Sequence, residues 1–184
     1  MSPQDALQEL LVGNARYISG QTTASNPPNA RNALVEGQAP FAAILRCADS
    51  RVAPEVIFDQ PLGKLFVCGV AGNIPTPEIV ESLEFAIQYL GLGLVVVMGH
   101  SQCSAVRFAI ETEFPEGIYA QIALLPTPDL DDTIAYNSEN GIATILNRSR
   151  FIEEAVKTGS VQIVAGVQDI ASGEFELVAQ TQLN

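Results

Sequence analysis

Two cysteines and the only histidine of this sequence, Cys47, Cys103 and His100, have the residue types and spacing of a metal site. Thiolate sulfur and imidazole nitrogen are ligands that zinc prefers, and three protein ligands leave one tetrahedral position open, as in catalytic zinc sites. His100 and Cys103 lie three residues apart where a predicted strand turns into a helix, so both side chains can face one point. Cys47 follows a second predicted strand. The pattern therefore indicates a catalytic Cys2His zinc site.

Each of these residues also has a simpler interpretation. A single cysteine at the end of a strand is more often a small buried apolar residue than a metal ligand, and an isolated histidine in a loop usually binds nothing. The His-x-x-Cys spacing alone is a weak signal, and it gains weight because a second strand end carries Cys47. The third cysteine, Cys68, lies inside a predicted strand, where we expect a buried structural residue.

The segment that begins at Cys47 has the sequence CADSR, which adds Asp49 and Arg51. In an extended or turning segment Asp49 can reach the fourth position of a metal and close the site, while Arg51 can hold this carboxylate in a bidentate ion pair. Such a pair can also do no more than stabilise a loop, but its proximity to the expected metal favours a catalytic role. The dipeptide Gly72-Asn73 marks a second loop at a strand end, able to bring backbone N–H groups close to the site.

The charge balance excludes several classes of partner. The 184 residues include 9 Lys and Arg against 21 Asp and Glu, a net charge of −12. This charge argues against nucleic acid or an anionic membrane surface, since both are polyanionic. A small anionic substrate held by one local cation remains compatible. With a single histidine, the chain cannot form a three-histidine zinc site, an HExxH protease site or a two-histidine iron site.

The cysteine content and the N-terminal sequence bear on the compartment. Three cysteines are too sparse for a secreted disulfide scaffold, and the N-terminus lacks the basic and apolar regions of a signal peptide. The longest apolar run, Leu94–Gly99, is far shorter than the roughly 20 residues that a membrane span needs. We therefore expect a cytoplasmic protein, and the length fits a single domain over residues 1–184.

Strand and helix patterns alternate along the chain from Phe41 onward. This order favours an α/β fold with a mostly parallel central β-sheet flanked by helices. A turn at Asp169–Gly173 leads into an antiparallel edge strand at Glu174–Val178. Residues 1–37 form an N-terminal helical arm before the 38–184 core, and the polar connection Gln21–Asn29 is long enough for the first helix to reach away from that core. The other predicted strands are 41–46, 64–70, 94–99 and 161–166, and the predicted helices are 3–18, 32–37, 54–58, 76–89, 102–113 and 132–157.

Nearly the whole chain resembles the β-class carbonic anhydrases. The segments that carry the resemblance include CADSR and His-Ser-Gln-Cys, and they lie at Leu11–Tyr17, Glu36–Val67, Val70–Asn73, Gly99–Val106 and Val164–Leu177. The resemblance implies one zinc ion per chain on Cys47, His100 and Cys103, with Asp49 and Arg51 as the catalytic dyad. It also implies a homodimer or a dimer-based higher oligomer, with N-terminal helices packed on the partner subunit and the active site near the interface.

The resemblance extends to the substrate pocket. By position, Gln38 resembles a glutamine that the family contributes to the pocket across the dimer interface, and Ser104, Gly72 and Asn73 fall at the substrate pocket. Ser104 departs from the glycine that is common in the family. Gly69 and Ile44 replace the arginine and tryptophan with which some members form a regulatory bicarbonate pocket, which argues against that pocket here.

The expected function is the zinc-dependent reversible hydration of CO2 to bicarbonate and a proton, by attack of zinc-bound hydroxide. One alternative is hydrolysis of CS2 or COS, which the same family scaffold supports, because the shape of the access tunnel selects among such linear molecules. A remote alternative is a non-catalytic zinc-stabilised interaction module, which predicts a filled fourth ligand position. With His100 bound to the metal, proton release must use tyrosine, carboxylate, water chains or buffer.

Overall fold

The strands found in the described part of the chain form one five-stranded sheet. The computed structural model describes residues 1–27 and 30–182, so the end of the Gln21–Asn29 connection lies outside the described residues. The spatial order is β2-β1-β3-β4-β5, parallel throughout except for the antiparallel pair of β4 and β5. The predicted parallel sheet and its antiparallel edge strand are thus confirmed. The strands are β1 Ala42–Arg46, β2 Leu65–Gly69, β3 Leu94–His100, β4 Gln162–Gln168 and β5 Phe175–Gln180.

Helices cover both faces of this sheet. No helix within residues 1–27 and 30–182 is long and apolar enough to cross a bilayer. Two short 3₁₀ turns lie at Ala71–Asn73 and Tyr119–Gln121. The helices are α1 Pro3–Ile18, α2 Ala30–Ala33, α3 Pro54–Ile57, α4 Pro77–Leu90, α5 Ser104–Glu111, α6 Leu130–Arg148 and α7 Arg150–Lys157.

The central strands contribute alternate residues to two separate hydrophobic cores. In β1, Ala42 and Ile44 pack in the core that includes α1, α3 and α5, whereas Ala43 and Leu45 pack in the core that includes α4 and α7. All four side chains are fully buried. Strands covered on both faces need apolar residues at every position, which explains the compact apolar runs of the sequence.

Two helical predictions need correction. The helix predicted at 132–157 is two helices, because Ser149 leaves the helical conformation at φ −130° and ψ 103°. Its Oγ accepts a hydrogen bond from the N–H of Ile152 and donates one to Glu84. A serine hydroxyl competes in this way with helical backbone bonds. The short helix predicted at 32–37 lies instead at Ala30–Ala33 and continues as a turn.

Helix α1 lies against its own chain rather than reaching away from it. Ala6 and Leu10 are buried in the first core. At Gly13 the helix comes so close to the loop after α3 that a Cβ atom would stand 1.9 Å from the carbonyl oxygen of Phe58. Only glycine permits this approach, so Gly13 sets the position of α1 on the core.

A buried amide fixes α1 to two loops of the core. The side chain of Asn14 donates hydrogen bonds to the carbonyls of Ile57 and Gly173, at 3.1 and 2.9 Å. It also accepts one from the N–H of Phe175 at 3.0 Å. Through these three bonds, Asn14 joins the N-terminal helix to the hairpin of β4 and β5.

The carboxylate of Asp59 makes a second connection to the N-terminal segment. It accepts hydrogen bonds from Nε of Arg16 at 2.5 Å and from the N–H groups of Thr23 and Ala24 at 3.0 and 2.8 Å. Burial alone would raise the pKa of Asp59, but the guanidinium of Arg16 and the donors of Thr23 and Ala24 hold that pKa well below its usual value.

The stability of the fold should therefore depend on pH through Asp59. Because the pKa of Asp59 is lower in the folded than in the unfolded chain, its stabilisation is fully present above the unfolded value, about 4, and is lost progressively as the pH falls from there through the folded value. We expect Asp59→Asn to lower the free energy of unfolding by about 2 kcal/mol at neutral pH, and the difference from wild type to shrink in acid. Urea unfolding of both proteins at pH 7, 4 and 3 measures this. A difference that is constant over that range would contradict the prediction.

Candidate metal centre

Three metal-binding side chains meet beyond the carboxyl ends of β1 and β3. Cys47 follows β1 directly, His100 is the last residue of β3, and Cys103 precedes α5. Because β1 and β3 are parallel neighbours, their carboxyl ends meet at one edge of the sheet. The ligand atoms of the three buried residues lie within 4.8 Å of one another, and the two sulfur atoms are 3.9 Å apart. The structure thus brings together all three residues that the sequence indicated.

The histidine is oriented for metal binding. Its Nδ1 lies 2.9 Å from the carbonyl oxygen of Ser101, which makes Nδ1 the protonated nitrogen and leaves a lone pair on Nε2. Nε2 is buried, and no residue in the described part of the chain gives it a hydrogen bond. A buried nitrogen without a partner is unfavourable. Beside two cysteine sulfurs, it completes a donor set that fits zinc.

The environment of Cys47 favours its thiolate form, which is the form that binds metal. The thiol of Cys103 holds the pKa of Cys47 well below its usual value, with a further hydrogen bond from the N–H of Gly72, against the opposing effect of burial. That N–H lies 3.3 Å from Sγ, as expected for a loop that brings backbone donors to the site. The pKa of Cys103 is raised, because its thiol donates to Cys47 and is buried.

The loop at Gly72 is held by a residue that the sequence analysis missed. Gly72 has a φ of 75°, and its carbonyl accepts a hydrogen bond from the side chain of Asn137 at 3.0 Å. The same amide accepts one from the N–H of Ala123 at 3.0 Å. Asn137 is buried on α6, and a polar residue at a core-facing position of a helical pattern is the signal that could have revealed it.

Asp49 and Arg51 form the predicted ion pair beside the cysteines. Nε and Nη2 of Arg51 donate to the two carboxylate oxygens at 2.9 and 2.7 Å, and its N–H donates to Oδ1 at 2.9 Å. These hydrogen bonds keep the pKa of Asp49 well below its usual value, against the effect of burial. Oδ2 of Asp49 lies 3.9 Å from Nε2 of His100. The carboxylate therefore lies next to the ligand atoms and stays ionised.

An open cleft of about 350 Å³ leads from solvent to Cys47. The side chains that line it are small or aromatic, and polar groups among them belong to Asp49, Ser104 and Tyr119. On one side, the rings of Phe108 and Tyr119 are in edge contact, with centroids 4.8 Å apart. The lining residues are Cys47, Ala48, Asp49, Ala71, Ser104, Ala105, Phe108 and Tyr119.

The other residues expected at the pocket occupy different places. Gly72 contacts the sulfur of Cys47 through its N–H. The side chain of Asn73 is buried and donates to the hydroxyl of Ser138, at 3.5 Å, so it contacts α6 instead of lining the cleft. Gln38 is exposed in the segment before β1. Of the proposed pocket residues, Ser104 is the one that lines the cleft of its own chain.

Cys68 lies apart from the metal centre. It is buried in the second core, on β2, whereas Cys47 and Cys103 belong to the first core. Burial raises the pKa of Cys68 to about 11, so its thiol stays protonated. The expectation of a buried residue at this position is confirmed.

Comparisons with known proteins identify the family of the chain. A family model described as carbonic anhydrase matches residues 42–125. A carbonic anhydrase of Mycolicibacterium smegmatis is 33% identical over 192 aligned residues, which cover 96% of this chain and 93% of that protein. A carbonic anhydrase 2 of Mycobacterium tuberculosis is 32% identical, with the same coverage of 96% and 93%.

Solved structures show the same fold at lower identity. A tetrameric β-carbonic anhydrase of Sordaria macrospora has a TM-score of 0.72 and 22% identity, over 97% of this chain and 100% of that one. The Coccomyxa β-carbonic anhydrase in complex with acetazolamide has a TM-score of 0.68 and 20% identity, over 96% and 83%. Since the mycobacterial relatives align over almost the entire length and the fold is that of the β class, the chain belongs to the β-class carbonic anhydrases.

Proposed function

We propose that this chain catalyses the reversible hydration of CO2 to bicarbonate and a proton, with one zinc ion held by Cys47, His100 and Cys103. Family membership supports CO2 hydration as the general reaction. The observation that carries the zinc assignment is the meeting of two buried sulfurs with an imidazole nitrogen that lacks a hydrogen-bond partner in residues 1–27 and 30–182. Bound zinc would supply a Lewis acid that activates water as the nucleophile near neutral pH.

Asp49 and Arg51 orient the reacting water in this proposal. An ionised carboxylate only accepts hydrogen bonds, so Asp49 binds a water through one hydrogen and leaves its lone pair free to face the substrate. Arg51 holds both carboxylate oxygens at 2.7–2.9 Å and keeps Asp49 in this orientation. The pair thus supplies positioning, which is a large part of catalysis for so small a substrate.

The walls of the cleft support a neutral, linear substrate. The methyl groups of Ala48, Ala71 and Ala105 and the ring of Phe108 are apolar, and Asp49 lies among them. Apolar walls with a few polar groups are typical of small-molecule sites. COS shares the shape of CO2, and hydrolysis of COS or CS2 is therefore the second candidate function.

We also propose that the working unit is a homodimer or a dimer-based oligomer. Three aromatic rings form a cluster on the surface of β2 and α4: Phe66 lies 6.4 Å from Phe85, which stacks on Tyr89 at 5.2 Å. Phe85 and Tyr89 are 46% and 69% exposed. Exposed aromatic clusters favour protein–protein contact, and the Sordaria macrospora neighbour is described as tetrameric. In the dimer, Gln38 would reach the partner's cleft and the outer face of α1 would pack on the partner.

The two cysteine ligands, Cys47 and Cys103, favour a location of the protein under reducing conditions. Cys47 and Cys103 bind metal only when they are not oxidised, and their sulfurs lie 3.9 Å apart. Reducing conditions in the cytosol keep such thiols free. We therefore propose a cytoplasmic location.

Stopped-flow CO2 hydration on zinc-loaded protein, from pH 6.5 to 9, tests the proposed function when metal content is measured on the same sample. We expect hydration with one zinc per chain, loss of activity after chelation, and recovery when zinc is returned. COS hydrolysis measured on the same sample distinguishes the second candidate function from CO2 hydration, since that candidate predicts faster turnover of COS than of CO2. Bound zinc without hydration of CO2 or COS at any pH would instead support the non-catalytic zinc module.

A further inference from the structure

We infer that Arg46, the last residue of β1, is a positioning residue that fixes the backbone of the loop carrying Cys47 and Asp49. The inference rests on the proposed function, since it concerns the geometry of the same site. Arg51 holds the side chain of Asp49, as described above. Arg46 acts on the main chain of the loop instead, from the opposite end of the CADSR segment.

One nitrogen of Arg46 bridges two carbonyl groups. Nη1 donates to the carbonyl oxygen of Cys47 at 2.6 Å and to that of Asp49 at 3.4 Å. A guanidinium –NH2 group has two hydrogens, so one nitrogen can serve both acceptors. Hydrogen bonds from a charged donor are stronger than those between neutral groups. The two bonded residues are those that supply a ligand sulfur and the carboxylate beside it.

The opposite side of this loop is held by Val70, the residue that follows the neighbouring strand β2. The N–H of Ala48 donates to the carbonyl of Val70 at 3.1 Å, and the N–H of Val70 donates to the carbonyl of Arg46 at 3.2 Å. Val70 therefore fixes one backbone N–H of the loop, and the guanidinium of Arg46 fixes the carbonyls on either side of it. Together these contacts leave the loop little freedom to rotate Cys47 or Asp49 away from the site.

Gly69 provides the space in which the guanidinium lies. It is the register partner of Arg46 on β2, and a Cβ atom placed there would be 3.5 Å from Cζ of Arg46. That distance is an ordinary contact, but a branched side chain would extend further into the guanidinium. Nε of Arg46 is buried there without a hydrogen-bond partner in the described chain, so the bonds of Nη1 set the orientation.

Two pairs of variants distinguish a role of Arg46 in positioning the loop from a role in the stability of the whole fold. Arg46→Met removes the charge and both carbonyl bonds, while Arg46→Lys keeps a cationic donor on a shorter side chain. Gly69→Val displaces the guanidinium without altering Arg46, and Gly69→Ala is its matched control. Arg150→Met, an exposed arginine at the start of α7, controls for the loss of one positive charge. Each protein is loaded with zinc for CO2 hydration and with cobalt(II) for visible absorption, and its thermal unfolding is recorded.

We expect Arg46→Met and Gly69→Val to lower kcat about ten- to a hundredfold, because small misplacements of reacting groups have effects of that size. KM should change little, one metal per chain should remain, and the cobalt absorption bands should shift. Arg46→Lys should lose less activity, and Gly69→Ala and Arg150→Met should match wild type. If Arg46→Met fails to fold, the kcat values and cobalt spectra of Gly69→Val and Arg46→Lys test the inference instead.

A wild-type kcat and an unchanged cobalt spectrum in Arg46→Met or in Gly69→Val would overturn the inference, even if the unfolding temperature fell. Failure of the proposed function gives a different result, because the zinc-loaded wild type would then show no CO2 hydration. The cobalt spectra would still test the position of Cys47 in that case.

Discussion

Replacing Cys103 with alanine should remove both the bound zinc and the CO2 hydration activity. Cys103 supplies one of the two sulfurs of the centre, 3.9 Å from the other, and a Cys-His pair alone is a poor zinc site. Because enzymes typically accelerate their reactions a millionfold or more and this gain depends on the ion, we expect activity to fall by at least about 10³-fold. Zinc per chain, measured after dialysis, and stopped-flow hydration on the same sample give the result.

Cys68→Ala is the matched control for this experiment. Its thiol is buried in the other core, so the variant should keep one zinc per chain and wild-type turnover, with a loss of unfolding free energy of about 1 kcal/mol from the small cavity. A Cys103→Ala protein that retained stoichiometric zinc would contradict the ligand assignment. Equal zinc loss in both variants would mean that folding, and not ligation, had been disturbed.

Replacing Arg51 with alanine should abolish most of the activity while leaving zinc bound. The side chain of Arg51 makes two hydrogen bonds to the Asp49 carboxylate, whose Oδ2 is already 3.9 Å from Nε2 of His100. Once released from Arg51, the Asp49 carboxylate would be free to turn toward the ligand atoms and would take the fourth ligand position of a bound zinc ion. We expect kcat/KM to fall about 10²- to 10³-fold, the size of effect seen when a group that orients or stabilises the reacting atoms is removed.

The controls for Arg51→Ala use two other changes. Arg51→Lys keeps the charge without the bidentate contact and should recover part of the activity. Arg107→Ala removes an exposed arginine of α5 that donates to the side chain of Gln102 at 3.0 Å, and it should behave as wild type. Zinc content near one per chain is expected in all three variants. Loss of zinc in Arg51→Ala would show that Arg51 maintains the site structurally.

The sheet and the three metal-binding residues could be predicted because both leave local patterns. Runs such as Leu94–Gly99 are apolar at every position, as strands covered on both faces require. Cys47 and His100 each lie at the end of such a run, so the rule that parallel strands end at one edge was sufficient to bring them together. No distance between the segments was needed for that prediction.

The features that the sequence did not reveal depend on contacts between distant segments. The apolar spacing of Ile145 and Ile152 continues across the break at Ser149, so the periodicity gave no sign of two helices. The placement of α1 depends on a glycine that meets the carbonyl of Phe58. In the sequence, Arg46 is an ordinary cation at the end of a strand. Its contacts with the carbonyl groups of Cys47 and Asp49 are visible only in the structure. Such hydrogen bonds leave no periodic trace.

The ligands of the metal centre come from the ends of two strands that are neighbours in space but are separated along the chain by β2. A zinc ion held between these ends would bind the folded chain more tightly than the unfolded one, and free zinc at about a hundred times its dissociation constant would stabilise the fold by at most about 2.7 kcal/mol. Cellular zinc supply would then govern how much of this protein survives proteolysis. Under zinc starvation, the amount of the enzyme in the cell would fall together with its activity.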